Sequence, residues 1–183
     1  MTAIVAPALS DGVVFLRAMR QSDIPAMVAA CQDPEIPRWT RVPRPYTPED
    51  AQRFLAISAT EAAAGEGVAL AVADRDDRLI GTVGLFGLDG QGGGEIGYWT
   101  AAPARGRGVT TRAVVLLRDW AHAELGLTTI EIRSHRDNPP SQRVAERAGF
   151  ADTGEIRSAP YMPAGRREGY KRFCWVAPPG DSS

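Results

Sequence analysis

The most chemically suggestive spacing in this chain is Arg105-Gly106-Arg107-Gly108-Val109-Thr110-Thr111, two glycines set among arginines just ahead of a long apolar-periodic segment. Glycine lets the main chain approach a ligand closely, and the first turn of a helix offers N–H groups without intrahelical partners together with the positive end of the macrodipole. The combination suits a phosphate-bearing ligand, with Arg105, Arg107 and Arg112 placed around one helix N-terminus. It is not a mononucleotide P-loop, because no Gly-Lys-Ser/Thr follows. It is not a G-x-G-x-x-G turn either, because residues 109 to 111 supply no glycine. Metal chemistry is disfavoured, and no metal ligand is assigned. Cys31 and Cys174 lie far apart, no C-x-x-C occurs, and His122 and His135 enter no H-x-x-x-H pattern.

Such a turn needs a strand leading in and a helix leading away. Glu95 to Thr100 reads as the strand. From about Gly108 to Leu125, Ala113, Leu116, Leu117, Trp120 and Ala121 share one helical face, and Gly126 closes the helix. Upstream, strands over Val68 to Ala73 and Leu79 to Leu88 flank a polar turn, and the glycine-rich stretch 89–94 returns the chain, which predicts an antiparallel meander. Nearer the N-terminus, Val13 to Leu16 is strand-like and Ser22-Asp23 offers an N-cap to a helix over Ile24 to Cys31. Thr47-Pro48-Glu49-Asp50 starts a helix to about Ala64, and prolines 34, 37, 43 and 45 make the stretch before it a loop. Downstream come a strand over Thr129 to Ser134 and a short helix opened by Asn138-Pro139-Pro140-Ser141, with Val144, Ala145 and Ala148 inward and Gly149 closing it. Strands near Phe150 to Arg157 and Arg167 to Val176 follow. The order β-α-α-β-β-β-α-β-α-β-β is an α+β sheet with helices on its faces.

Residues 105–110 resemble the Q/R-x-x-G-x-G/A acetyl-CoA pyrophosphate loop of the GNAT superfamily of N-acetyltransferases. E-I-G-Y-W-T at 95–100 and Asn138, Ser141, Gly149 and Phe150 are similar to the strand and the N-x-x-S…G-F element of the branch that includes ribosomal-protein N-terminal (Rim-type) acetyltransferases. The resemblance covers about residues 13–176, with its specific motifs inside 95–150. Thr110 stands where Gly or Ala is usual, and Arg112 where that branch often has Glu.

The resemblance implies a GNAT-like central mixed sheet of about seven strands, mostly antiparallel with one splayed parallel pair (95–100 and 129–134), flanked by about four helices. It implies acetyl-CoA as co-substrate. The pantetheine would pair with main-chain groups of Tyr98, Trp99 and Thr100 and be touched by Asn138, and the pyrophosphate would meet the amides of Arg105, Gly106, Arg107, Gly108, Val109 and Thr110. The reaction would be direct acetyl transfer to a primary amine, either a protein N-terminal α-amine or a small-molecule amine. An α-amine of pKa near 8 is roughly 10% neutral at pH 7 and a lysine-type amine well below about 0.1%, so a base matters most for the latter. Glu95 is the candidate base and Ser141 the candidate acid for the leaving thiolate. Each has a structural alternative: Glu95 as an ion-paired strand residue, Ser141 and Asn138 as helix caps. His135 is an alternative base and Tyr161 an alternative acid. Trp39 and Tyr161 stand in loops that would line the acceptor site, and His122 reads as structural. A non-catalytic acyl-CoA-binding regulatory module is the competing function.

Twenty-one basic and 22 acidic residues give a net charge of −1, which argues against nucleic-acid or membrane-surface binding as the main task. All the basic residues but Lys171 are arginine. No apolar run approaches the ~20 residues of a membrane span, and residues 1–10 lack the pattern of a signal peptide. The expectation is a single domain over 1–183 with a frayed tail at 177–183. It is placed in the reducing cytoplasm, with a homodimer as the family-level expectation.

Overall fold

Alternation decides which way each strand faces. In β3 (Val68–Ala73), Val68, Leu70 and Val72 join one apolar cluster and Ala71 another, and all six residues are buried, as a strand covered on both faces requires. The computed structural model describes residues 2–178 apart from 89, 160, 161 and 164. The other strands are β1 (Leu9–Ser10), β2 (Phe15–Ala18), β4 (Leu79–Phe86), β5 (Gly93–Thr100), β6 (Thr129–His135), β7 (Ala151–Arg157) and β8 (Tyr170–Val176). They form one eight-stranded sheet in the order β1-β2-β3-β4-β5-β6-β8-β7. Neighbours are antiparallel except β5 and β6, which run parallel.

Among the described residues five α-helices cover the sheet: α1 (Ile24–Cys31), α2 (Glu35–Trp39), α3 (Pro48–Ala64), α4 (Val109–Leu125) and α5 (Pro139–Arg147). Helices α4 and α5 pack on the face carrying Val83, Leu85, Ile96, Ile130, Ile132 and Phe173. Residues of α1, α2 and α3 pack with Ala71, Leu79 and Trp99 on the other. The buried stripe of α4 is Ala113, Val114, Leu117 and Ala121, with Leu116 and Trp120 half-buried at its margin. The meander β3-β4-β5 and the start of α3 at Thr47 are as expected, and the start is a capping box. Asp50 N donates to Thr47 Oγ1 at 3.3 Å, and Thr47 N to Asp50 Oδ2 at 3.0 Å.

Three details differ from expectation. The proline-rich stretch 34–46 is not loop throughout, because Glu35–Trp39 is helical. Pro34 sits at its N-cap and Pro37 in its first turn, where a missing N–H costs nothing, and Asp33 Oδ1 accepts from Glu35 N at 3.1 Å. Asp23 stands at the N-cap of α1 without capping it. At 5% exposure its charge needs a partner, and it takes the Arg17 guanidinium through both oxygens at 2.8 and 2.9 Å and Arg20 N at 2.8 Å. The two-residue β1 pairs with β2 across a turn in which Asp11 Oδ1 accepts from Val13 N and Val14 N, and two residues carry no readable period. Most of the tail expected to fray, 179–183, lies outside the described residues.

Candidate active site

Strand β5 pairs with β6 at only three positions, Gly93↔Thr129, Gly94↔Ile130 and Glu95↔Glu131. Its pairing with β4 continues to Gly81↔Thr100, and β6 pairs with β8 along its whole length. The two parallel strands therefore part after residue 95. The gap is V-shaped, closed at Glu95 and open toward the turn that follows Thr100. Along it, the β6-facing edge of residues 96–100 has no strand partner among the described residues.

The turn begins with a 3-10 segment, Ala102–Ala104, and reaches α4 through Gly106 (φ 73°) and Gly108 (φ 75°). Both glycines are in the left-handed region, and a Cβ added at either would enter open space. Gly108 is the N-cap of α4 and has no side chain to cap it, so the first-turn N–H groups are left to an outside acceptor. Thr110 Oγ1 lies 2.7 Å from Thr100 Oγ1 and pins the helix start to the strand end, which gives a threonine a structural use at that position.

Two of the three arginines are engaged by acidic side chains. Arg105 donates its main-chain N–H to Ala102 O at 3.2 Å and its Nε to Thr100 O at 3.0 Å, and its Nη1 meets Asp33 Oδ2 at 2.6 Å. Arg112 Nη1 meets Asp11 Oδ2 at 2.6 Å. Both guanidiniums turn to fixed carboxylates within reach. All three are exposed, and Arg107 alone of them has no ion pair among the described residues.

Successive residues of β5 point to opposite faces. Tyr98 lies on the α4/α5 side, where its hydroxyl is 2.9 Å from Ser141 Oγ and donates to Ser141 O at 3.2 Å. Burial pushes the Tyr98 phenol up to about 12, against a smaller opposing effect of the Ser141 hydrogen bond. Asn138 does cap α5, its Oδ1 accepting from Ser141 N at 3.3 Å, so this residue fixes the serine at the first turn. Glu95 lies on the other face with Trp99. Half-buried, it pairs with Arg133 Nε at 3.4 Å, and Arg133 also lies 3.8 Å from Glu131. Beyond them on β8, Arg172 bonds Glu131 Oε1 through Nε at 2.7 Å.

Farther along that face an aromatic wall stands at the end of β6. His135 contacts the Trp39 ring at 5.5 Å and the Tyr170 ring at 5.3 Å between centroids. Its Nδ1 accepts from Asp137 N at 3.1 Å. Trp39 is held by its Nε1 donating to Glu35 Oε2 at 3.0 Å. Arg166 donates to the carbonyls of Pro37 and Arg38, tying the stretch before β8 to α2. Tyr161 lies outside the described residues. Asp33, Arg133 and Tyr170 went unnoticed in the sequence because their partners lie far along the chain. His122 is structural, with Nδ1 at 2.8 Å from Leu127 O and its ring edge against Trp175. Cys31 is buried, its thiol pushed up by burial to about 12, whereas Cys174 is only half-buried. Among the described residues no group of three or more His, Cys, Asp or Glu could hold a metal, and no helix is long and apolar enough to cross a membrane.

The profile of the acetyltransferase (GNAT) domain matches residues 14–151. The chain belongs to the GNAT acetyltransferase family. Bacillus subtilis YjcK, which carries the name "Probable N-acetyltransferase", is 44% identical over 85 residues, 45% of this chain and 46% of that protein. YdaF of the same organism, which carries the name "Putative ribosomal N-acetyltransferase", is 36% identical over 88 residues, 48% of each. The chain thus spans about half the length of the curated relatives it matches. Among solved structures, Mycobacterium smegmatis RimJ in complex with CoA-disulfide superposes with a TM-score of 0.85 at 19% identity, covering 97% of this chain and 90% of that one. Spermidine N-acetyltransferase of Vibrio cholerae, in complex with CoA and spermine, gives 0.74 at 19% identity, covering 91% and 96%. At such identities the likeness establishes a GNAT fold, with Rim-type enzymes among the neighbours of this GNAT chain.

Proposed function

We propose that this chain is an acetyl-CoA-dependent N-acetyltransferase acting on a primary amine. The observation that carries the reading is the parting of β5 from β6 after Glu95↔Glu131, which leads an unpaired strand edge into the uncapped start of α4. An extended amide-bearing arm could add to that edge as a strand does. A pyrophosphate suits the N–H groups of Gly106 to Thr110, in the space that side chains at Gly106 and Gly108 would otherwise enter. Tyr98, Trp99 and Thr100 contribute main chain to this arrangement, although the Thr100 carbonyl is already engaged by Arg105. Asn138 touches the arm.

In the proposed reaction the amine nitrogen attacks the thioester carbonyl, so a C–N bond forms and the C–S bond breaks. The amine proton passes to Glu95, directly or through water, and the departing thiolate takes a proton on the Ser141 side. His135 and Tyr161 remain the alternatives for these two roles. Trp39 and Tyr161 shape the acceptor site. We assign the acceptor to protein N-terminal α-amines or small-molecule amines. Solved neighbours named for each, RimL as a ribosomal L7/L12 alpha-N-protein acetyltransferase and the spermidine N-acetyltransferase, support the pair.

Two free cysteines and the single described sheet support one domain in a reducing cytoplasm, and family membership supports a homodimer. The deciding experiment measures CoA thiol release from acetyl-CoA across N-terminal peptides, aminoglycosides, polyamines and amino acids. Turnover with any of them supports the enzyme. Acetyl-CoA binding with no turnover across the panel favours the regulatory module instead.

A further inference from the structure

An unbroken set of polar contacts runs from the start of α4 to the aromatic wall. Thr110 Oγ1 bonds Thr100 Oγ1, the Thr100 carbonyl accepts from Arg105 Nε, and Arg105 Nη1 meets Asp33 Oδ2 at 2.6 Å. The other oxygen of Asp33 accepts from Glu35 N, and Asp33 O accepts from Ile36 N at 3.1 Å. One carboxylate therefore holds both the glycine turn and the start of α2. Within α2, Glu35 holds the Trp39 indole, and Trp39 meets His135.

Helix α2 has five residues, too few for a helix to persist on its own propensity. Its placement depends on the buried Ile36 and Pro37, on Arg166 at its C-terminal carbonyls and on Asp33 at its start. A segment held by so few attachments belongs to the low-stability end of a fold, where a change at one attachment is felt throughout.

We propose that Asp33 is a positioning residue that couples the two halves of the site. In this scheme, ordering of the 105–110 turn by acetyl-CoA is passed through the Arg105–Asp33 pair to α2, which sets Trp39 against the acceptor face. The inference rests on the acetyl-CoA reading above, and the coupling is reciprocal, so acetyl-CoA and the amine each favour binding of the other. The link is specific in its chemistry. Asp33→Asn keeps an oxygen for Glu35 N and hence the start of α2, while removing the charge that Arg105 meets.

The test is amide hydrogen exchange over residues 35–42, with and without acetyl-CoA and with no amine present. In the unmodified chain acetyl-CoA is expected to slow exchange there by about 5-fold or more, the lower end of ordinary coupling between sites. In Asp33→Asn that ligand-dependent slowing disappears while acetyl-CoA affinity, measured by calorimetry, is retained. A merely structural role would speed exchange equally with and without ligand. Arg105→Gln gives a second route to the same loss, and the double variant loses no more than either single one if both residues act through one link. Slowing that persists in Asp33→Asn overturns the proposal and leaves the acetyl-CoA reading intact. An unmodified chain that does not bind acetyl-CoA overturns both.

Discussion

Glu95 is held at the closed end of the strand gap by Arg133 at 3.4 Å, so the charge on the proposed base has a fixed counterion. The pair fixes where the carboxylate sits in the gap. Its glutamine analogue keeps the shape and loses the basicity. Under the proposed reaction Glu95→Gln is expected to lower turnover by about 100- to 10,000-fold, the usual share of a general base. Steady-state rates across about pH 6–9 check this, and a wild-type profile would remove Glu95 from the role. On the opposite face Ser141 is fixed twice, by its own N–H on Asn138 Oδ1 and by its hydroxyl on Tyr98. Ser141→Ala is expected to slow turnover while leaving acetyl-CoA affinity unchanged. If Ser141→Ala turns over normally and Tyr161→Phe does not, the acid is Tyr161. Glu95, Asn138 and Ser141 stand out as candidates in the sequence because each lies inside a short local motif. Arg133, Asp33 and Tyr170 do not, because what gives them meaning is a partner brought near by the sheet.

At the scale of elements, two helix starts carry separable consequences. Asn138 both caps α5 and stands where the pantetheine arm would pass. Asn138→Ala should cost about 0.5–2 kcal/mol of stability, the usual value of an N-cap, and also weaken acetyl-CoA binding. Asn138→Asp keeps the capping oxygen and removes the amide donor, so it should keep wild-type stability and still bind acetyl-CoA less well. Unchanged affinity in Asn138→Asp, measured by calorimetry, would leave Asn138 as a cap alone. The turn between β1 and β2 is tied to α4 by Asp11 and Arg112. Burial acts to raise the Asp11 carboxyl, but the N–H groups of Val14 and Val13 and the hydrogen bond and charge of Arg112 outweigh it and hold it at about 2. A folded pKa below the unfolded value of about 3.9 means a stabilising contribution that is complete above that value and is lost as pH falls toward the folded one. Asp11→Asn should therefore lower stability near neutrality and flatten its fall between about pH 5 and 2, as read by urea denaturation. Helices α1, α3, α4 and α5 were legible because their periods are local, and α3, α4 and α5 also carry local caps at Thr47, Gly126 and Asn138. Helix α2 was hidden because the same prolines that argue for a loop are harmless in a first turn.

Across the whole molecule, composition alone says only that the charges nearly balance, and the net charge of −1 conceals how they are used. Arg105 and Arg112 serve as braces to Asp33 and Asp11, so attraction of a polyanion to the α4 turn falls to main-chain N–H groups, the helix dipole and exposed Arg107. A ligand bound there must stabilise the fold, because the turn joins β5 to α4 and exists only when both are in place. At 100 times its Kd a ligand specific for the folded state adds about 2.7 kcal/mol. For a chain of this size each kcal/mol corresponds to about 2–4 °C, so acetyl-CoA is expected to raise Tm by about 5–11 °C. Gly108→Trp should erase that increment. A side chain at φ 75° itself costs about 1–2 kcal/mol, so the variant starts from a lower Tm and the ligand-induced difference is the quantity to compare. A Gly108→Trp protein that gains as many degrees from acetyl-CoA as the unmodified chain would place the pyrophosphate somewhere other than the start of α4.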